Sequence, residues 1–132
     1  MNGGSKLIIR GLKNKFSKKF KVTTESQNRF CFERTFYNPD LVFWSKANNS
    51  IKAVIEVEQG TRKHMVGGVI TADYCMGKMK QSPVMFVLAF DEQDRKDYLK
   101  RKKLFEAYTK HLKEIVIGNK KEIITALSQL KV

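Results

Sequence analysis

Asn38-Pro39-Asp40-Leu41-Val42-Phe43-Trp44-Ser45, then a short polar turn, then Ile51-Lys52-Ala53-Val54-Ile55-Glu56-Val57-Glu58, is the stretch that sets the architecture. Two apolar runs of strand length flank Lys46-Ala47-Asn48-Asn49-Ser50, whose asparagines tolerate left-handed backbone and so read as a turn. Side chains in a strand alternate between faces, so Glu56 and Glu58 share one face while Ile55 and Val57 share the other. Paired as a hairpin, the runs set Asp40 opposite the end that carries the glutamates. Three carboxylates brought to one spot repel unless protons or a divalent cation neutralise them. The spacing therefore points to a hard cation. Ala53, Val54 and Ile55 are apolar on both faces, the mark of a central strand covered on both sides.

Outward from this pair, Ile8, Leu12 and Phe16 recur every four positions, which predicts an amphipathic helix over 6–20 with a lysine-rich outer face. Residues 1–5 read as a loose end. The run 29–37 predicts a strand anchored by Phe30, Phe32 and Phe36. After Glu58, Gln59-Gly60-Thr61 breaks the strand and Thr61 can cap a helix over 62–77, striped by Met65, Val69, Ala72 and Met76. The Gly67-Gly68 pair inside that helix predicts close approach to the sheet, or else a kink beside a substrate. A buried strand over 84–90 follows Pro83. A long helix over 94–113, with Tyr98, Phe105, Tyr108 and Leu112 inward, then a strand over 114–118, and a helix capped by Asn119, complete the chain. The order predicts an α/β fold over 1–132, a single domain whose mixed central sheet has helices on both faces.

Charge carries the next inference. The chain of 132 residues holds 26 Lys+Arg against 13 Asp+Glu, a net charge of +13. Residues 1–21 contain seven of the basic residues and no acid, and 95–103 form a second basic block. Phosphate contacts release counterions, so such patches favour nucleic acid over a merely solubilising role. The longest apolar run, 83–90, is too short to cross a bilayer, and 1–20 lacks the apolar centre of a signal peptide. Cys31 and Cys75 fit no metal-ligand spacing and read as reduced and buried, which favours an intracellular, cytoplasmic location without membrane contact.

Pro39-Asp40, the fifteen-residue gap and Glu56-Val57-Glu58 resemble the motif of the PD-(D/E)xK nuclease superfamily. The resemblance extends over about residues 6–90, including an αβββαβ order like the restriction endonuclease-like core. It implies a metal-dependent endodeoxyribonuclease in which Asp40 and Glu56 bind Mg²⁺ (with Mn²⁺ as substitute) and the Val57 carbonyl adds a ligand. The family usually has lysine where this chain has Glu58. Glu58 could take a proton from the attacking water or hold a second metal. Lys63, or less well Lys52, could instead supply the cation, and Glu33 a fourth carboxylate. Lys13, Lys15, Lys18, Lys19, Gln59, Arg62 and Lys63 are the candidate DNA contacts. Small basic enzymes of this fold, Holliday junction resolvases among them, work as dimers, which implies a homodimer and structure-selective cutting.

Each residue also has a plainer reading. Asp40 after proline can be a turn residue, and Glu56 and Glu58 can line a solvated edge. Lys63, His64 and His111 can be surface residues, and Tyr37 and Trp44 can pack rather than stack on bases. The competing function is a nuclease-fold module with impaired chemistry that binds nucleic acid or joins a larger assembly. A further alternative is a regulatory protein whose basic surface meets acidic partners.

Overall fold

In a computed structural model that describes residues 3–58 and 65–132, the elements run α1 (Gly3–Phe16), β1 (Lys21–Thr24), β2 (Phe30–Phe32), β3 (Thr35–Tyr37), β4 (Leu41–Trp44), β5 (Ile51–Glu58), α2 (Met65–Lys78), β6 (Val84–Ala89), α3 (Glu92–Lys100), α4 (Lys102–Tyr108), β7 (Glu114–Gly118) and α5 (Lys120–Ser128). The two motif strands pair as the alternation predicts. β4 and β5 are antiparallel, with Leu41 opposite Ile55 and Val42 opposite Val54. Their turn is held by Ser45 Oγ, which accepts from the N–H groups of Ala47 (3.2 Å) and Asn48 (3.4 Å). Asn49 takes the left-handed backbone, at φ 58°.

This hairpin sits inside a five-stranded mixed sheet of order β1-β4-β5-β6-β7. β1 pairs antiparallel to β4, whereas β6 and β7 extend the sheet parallel to β5. Parallel neighbours need crossover connections, and α2 and then α3 with α4 provide them. Both faces are covered. Leu12 and Phe16 of α1 and Ile123 and Leu127 of α5 pack with Leu41, Phe43 and Ile55. On the other face Val69, Ala72 and Met76 of α2, Tyr98 of α3 and Phe105 of α4 pack with Val42, Val54 and Met85. Phe43 has Phe16 and Phe20 at ring distances of 5.5 and 5.4 Å. Each such ring removed from water stabilises the fold by roughly 1.5–3 kcal/mol. Among the described residues no helix is long and apolar enough to cross a membrane.

Several expectations are corrected. The first helix starts at Gly3, so 3–5 are not loose and Ser5 is buried. It ends at Phe16, whose carbonyl accepts from the N–H groups of Lys19 and Phe20 in a tight turn. The run 29–37 is not one strand of the sheet. It folds back at Glu33 (φ 59°) into the separate hairpin β2-β3. Aromatic and β-branched residues fill both arms, and no Gly, Asn or Pro marks the turn, so the break is silent in sequence. The sheet strand that precedes β4 is instead β1, a short segment in which Val22 alone is buried. Phe36 is 71% exposed rather than a core anchor, while Phe30 and Phe32 are partly buried.

The expected helix over 94–113 is two helices that break at Arg101, and Tyr108 is exposed. Its start lies earlier because Asp91 Oδ1 accepts from the N–H groups of Gln93 (2.8 Å) and Asp94 (3.1 Å). Cys75 is buried as expected, but Cys31 is exposed; both are free. A Cβ at Gly67 or Gly68 would meet open space, so close packing on the sheet does not explain that pair.

Candidate active site

The turn that carries Asp40 is held by a buried asparagine. Asn28 Nδ2 donates to the carbonyls of Thr23 and Pro39, each at 3.0 Å. Asn38 Nδ2 returns a bond to the Asn28 carbonyl at 2.9 Å. So fixed, Asp40 points across to β5, where its Oδ2 accepts the Val57 N–H at 2.7 Å. This bond locks the first carboxylate against the strand that bears the other two.

Glu56 and Glu58 emerge on the α2 side of the sheet. With Tyr37, Gly67, Gly68 and Thr71 they line a cavity of about 360 Å³ under the start of α2. All three acids are poised away from their ordinary range. Burial pushes the Asp40 carboxyl up to about 6, against the pull of the Val57 bond and with help from Glu25 and Glu58. Burial also raises Glu56 well above the usual carboxylate range, and the charges of Asp40 and Glu58 push it the same way. Glu58 is raised by burial and by Asp94, while a hydrogen bond from the Tyr98 hydroxyl lowers it. Desolvated, raised carboxylates beside a cavity make this a candidate functional site.

Two tyrosines complete this environment. The Tyr98 hydroxyl is buried behind Glu58, and its pKa is raised first by that burial and then by the Glu58 charge. The Tyr37 hydroxyl is buried and makes no hydrogen bond of ordinary geometry. Its pKa is raised by burial first and by the nearby Glu56 charge second. Sequence reasoning treated both tyrosines as packing residues. Tyr37, two residues before the Pro39-Asp40 pair, was the one it could have linked to the motif.

On the other side, Asp40 borders a second cavity of about 580 Å³ whose lining includes Lys6, Arg10 and Lys13 of α1. Lys13 thus borders the cavity of Asp40, together with Lys6 and Arg10, which are not among the candidate DNA contacts. Lys15 is exposed farther along α1. Lys18 and Lys19 stand toward the opposite end of the sheet. The Lys18 carbonyl accepts from Lys46 Nζ at 2.9 Å, and Lys19 Nζ donates to the Leu130 carbonyl. Lys52 shares a cavity with Lys113 and Leu130 at that far end, four residues or about 13 Å from Glu56, and does not replace the motif lysine. Glu33 pairs with Lys78 at 3.5 Å, at the β2-β3 turn, and adds no fourth carboxylate. Gln59, Arg62, Lys63 and His64 lie outside the described residues. His111 packs against Gly77, and its ring occupies the space a Cβ there would need.

The residue types fit a hard divalent cation, because carboxylate oxygens are its preferred donors. Among the described residues no group of three or more His, Cys, Asp or Glu side chains is gathered to hold a metal ion as it stands. Mg²⁺ in particular is ordinarily held by one or two carboxylates and substrate phosphates, not by an all-protein cage. Comparison of the chain with protein-family models, curated proteins and solved structures finds no match in any of the three.

Proposed function

We propose that this chain is a Mg²⁺-dependent endodeoxyribonuclease of the PD-(D/E)xK type, with the restriction endonuclease-like core formed by α1, β1, β4, β5, α2 and β6. The observation that carries the reading is the trio Asp40, Glu56 and Glu58. All three are raised by burial, Asp40 and Glu56 also by the charge of Glu58 and Glu56 by that of Asp40, and Asp40 borders a cavity lined by the basic helix. Packing alone gives no reason to keep such a cluster, since neutral residues would be more stable there.

In this reading Asp40, Glu56 and the Val57 carbonyl hold Mg²⁺, which when bound offsets charge on the phosphate oxygens and lowers the pKa of water. The chain's own residues do the rest. The Val57 N–H orients Asp40. Tyr98 holds Glu58, whose raised pKa suits it to accept a proton from the attacking water. The buried Tyr37 hydroxyl stands beside Glu56 in the same space. Lys6, Arg10 and Lys13 draw the DNA backbone to the site. A homodimer would bring two such sites to two strands.

The test is nicking of supercoiled plasmid in Mg²⁺ or Mn²⁺. The wild-type chain is expected to cut. Asp40→Asn and Glu56→Gln, purified alike, are expected to lose at least about a hundredfold in rate, on the order of other losses of charge-stabilising groups. Variants that cut as fast as wild type would remove the site. A second reading rests on Glu58 standing in place of the family's lysine: a module that binds DNA without cutting it. Binding with no cleavage in either metal supports that reading instead.

A further inference from the structure

We propose that Phe36 is a stacking platform for an unpaired nucleobase next to the carboxylates, so that the favoured substrate is DNA carrying single-stranded or unstacked nucleotides. The inference rests on the nuclease reading above and names its substrate class. Phe36 is 71% exposed, although its neighbour Tyr37 is buried beside Glu56. Across the hairpin its partner is the small, exposed Cys31, so no large side chain stands opposite it in the pair. An aromatic ring left in water at this point does nothing for the core, which the hairpin reaches through Phe30, Phe32 and Tyr37.

What surrounds the ring gives it an occupant. Phe36 and Asn38 border the cavity that holds Glu56 and Glu58. They also border a larger one of about 670 Å³, whose lining includes Arg29 and Phe30. That volume lies within the roughly 300–1,000 Å³ range of small-ligand sites. Glu25 and Ser26 line both this cavity and the one holding Arg10 and Asp40. The three cavities therefore adjoin: a basic wall, the carboxylates, and an aromatic face. This is the pairing of cationic track and exposed ring that binds single strands, in which every base has a face to stack. A base inside an intact duplex already stacks on both sides and cannot offer its face. A base freed at a flap, gap or junction can.

The experiment uses the full chain carrying Glu56→Gln, so that binding is read without cleavage. The probes are a short oligothymidylate containing one 2-aminopurine and the same sequence as a blunt duplex. Stacking on Phe36 is expected to quench the 2-aminopurine. Phe36→Leu is expected to abolish the quenching and weaken single-strand binding about tenfold or more, while duplex binding stays the same. Phe36→Trp is expected to retain both. Equal single-strand affinity and quenching in Phe36→Leu overturn the proposal. So does a result in which Phe36→Leu lowers self-association in sedimentation but leaves strand binding unchanged, because the ring is then a contact between copies. Plasmid cutting with no Phe36 effect discards the platform and leaves the nuclease reading intact. A chain that binds neither probe discards both.

Discussion

Asp40 occupies a position that its own charge disfavours. It is 8% exposed and spends one carboxylate oxygen on the Val57 N–H. Its folded pKa, pushed up by burial, is about 6 against 3.8 for the free side chain. The folded chain therefore holds this proton more tightly than the unfolded chain does. The resulting stabilisation is full below the unfolded value and is lost as pH rises through about 6. At 1.36 kcal/mol per pH unit the loss is roughly 3 kcal/mol by neutral pH. Asp40→Asn retains an oxygen to accept from Val57 but carries no charge. It is expected to raise urea stability at pH 7 by about 1–2 kcal/mol and to flatten the change between pH 4 and 7. If urea titrations find the variant no more stable than wild type at pH 7, the strain assigned to Asp40 is absent. Under the proposed reading, a residue kept for chemistry carries such a cost at working pH.

Asp73 shows how one element is tied to its neighbours. From the middle of α2 its Oδ1 accepts three consecutive backbone N–H groups, of Lys110 (2.9 Å), His111 (2.6 Å) and Leu112 (3.1 Å). These bonds clamp the segment between α4 and β7 and explain why the helix expected to run to 113 stops at Tyr108. A side chain that accepts from successive N–H groups competes with the helix for them. Hydrogen bonds to a charged group contribute about 1.5–3 kcal/mol, so Asp73→Ala is expected to lower stability by about 3 kcal/mol. Hydrogen exchange should then accelerate first at Lys110, His111 and Leu112. Exchange that stays slow there in the variant would mean that the clamp is held by something else. Gly67 and Gly68 belong to the same helix and line the Glu56 cavity, so they keep its mouth open rather than its back close.

Across the whole molecule, the +13 charge is set against an acidic spot. The sheet separates two ends. One carries Asp40, Glu56 and Glu58 beside Lys6, Arg10 and Lys13. The other gathers Lys52, Lys80, Lys113 and Lys131 around a cavity of about 390 Å³. If binding neutralises some six phosphates, affinity for a DNA duplex should drop about a thousandfold between 50 and 200 mM salt. Fluorescence anisotropy over that range checks it. A drop under about tenfold would mean that the lysines serve solubility alone.

The alternation in 38–58 was enough to pair β4 with β5, aim Glu56 and Glu58 at one face and bring Asp40 to the same end, because a strand has one period and register follows from it. The covered central strand was equally legible from its apolar run, but the span expected as one crossover helix over 94–113 is two helices beginning at Glu92. Other features were set by contacts between segments distant in the chain. Nothing near Phe36 says that its strand leaves the sheet, since the same aromatic pattern serves a hairpin that packs on α2. Nothing near Lys18 or Lys6 says which of them meets Asp40, because that depends on where α1 docks along β1 and β4. Local pattern fixes direction and period. Position in space is fixed by burial, which pairs residues according to the shape each segment presents to the others.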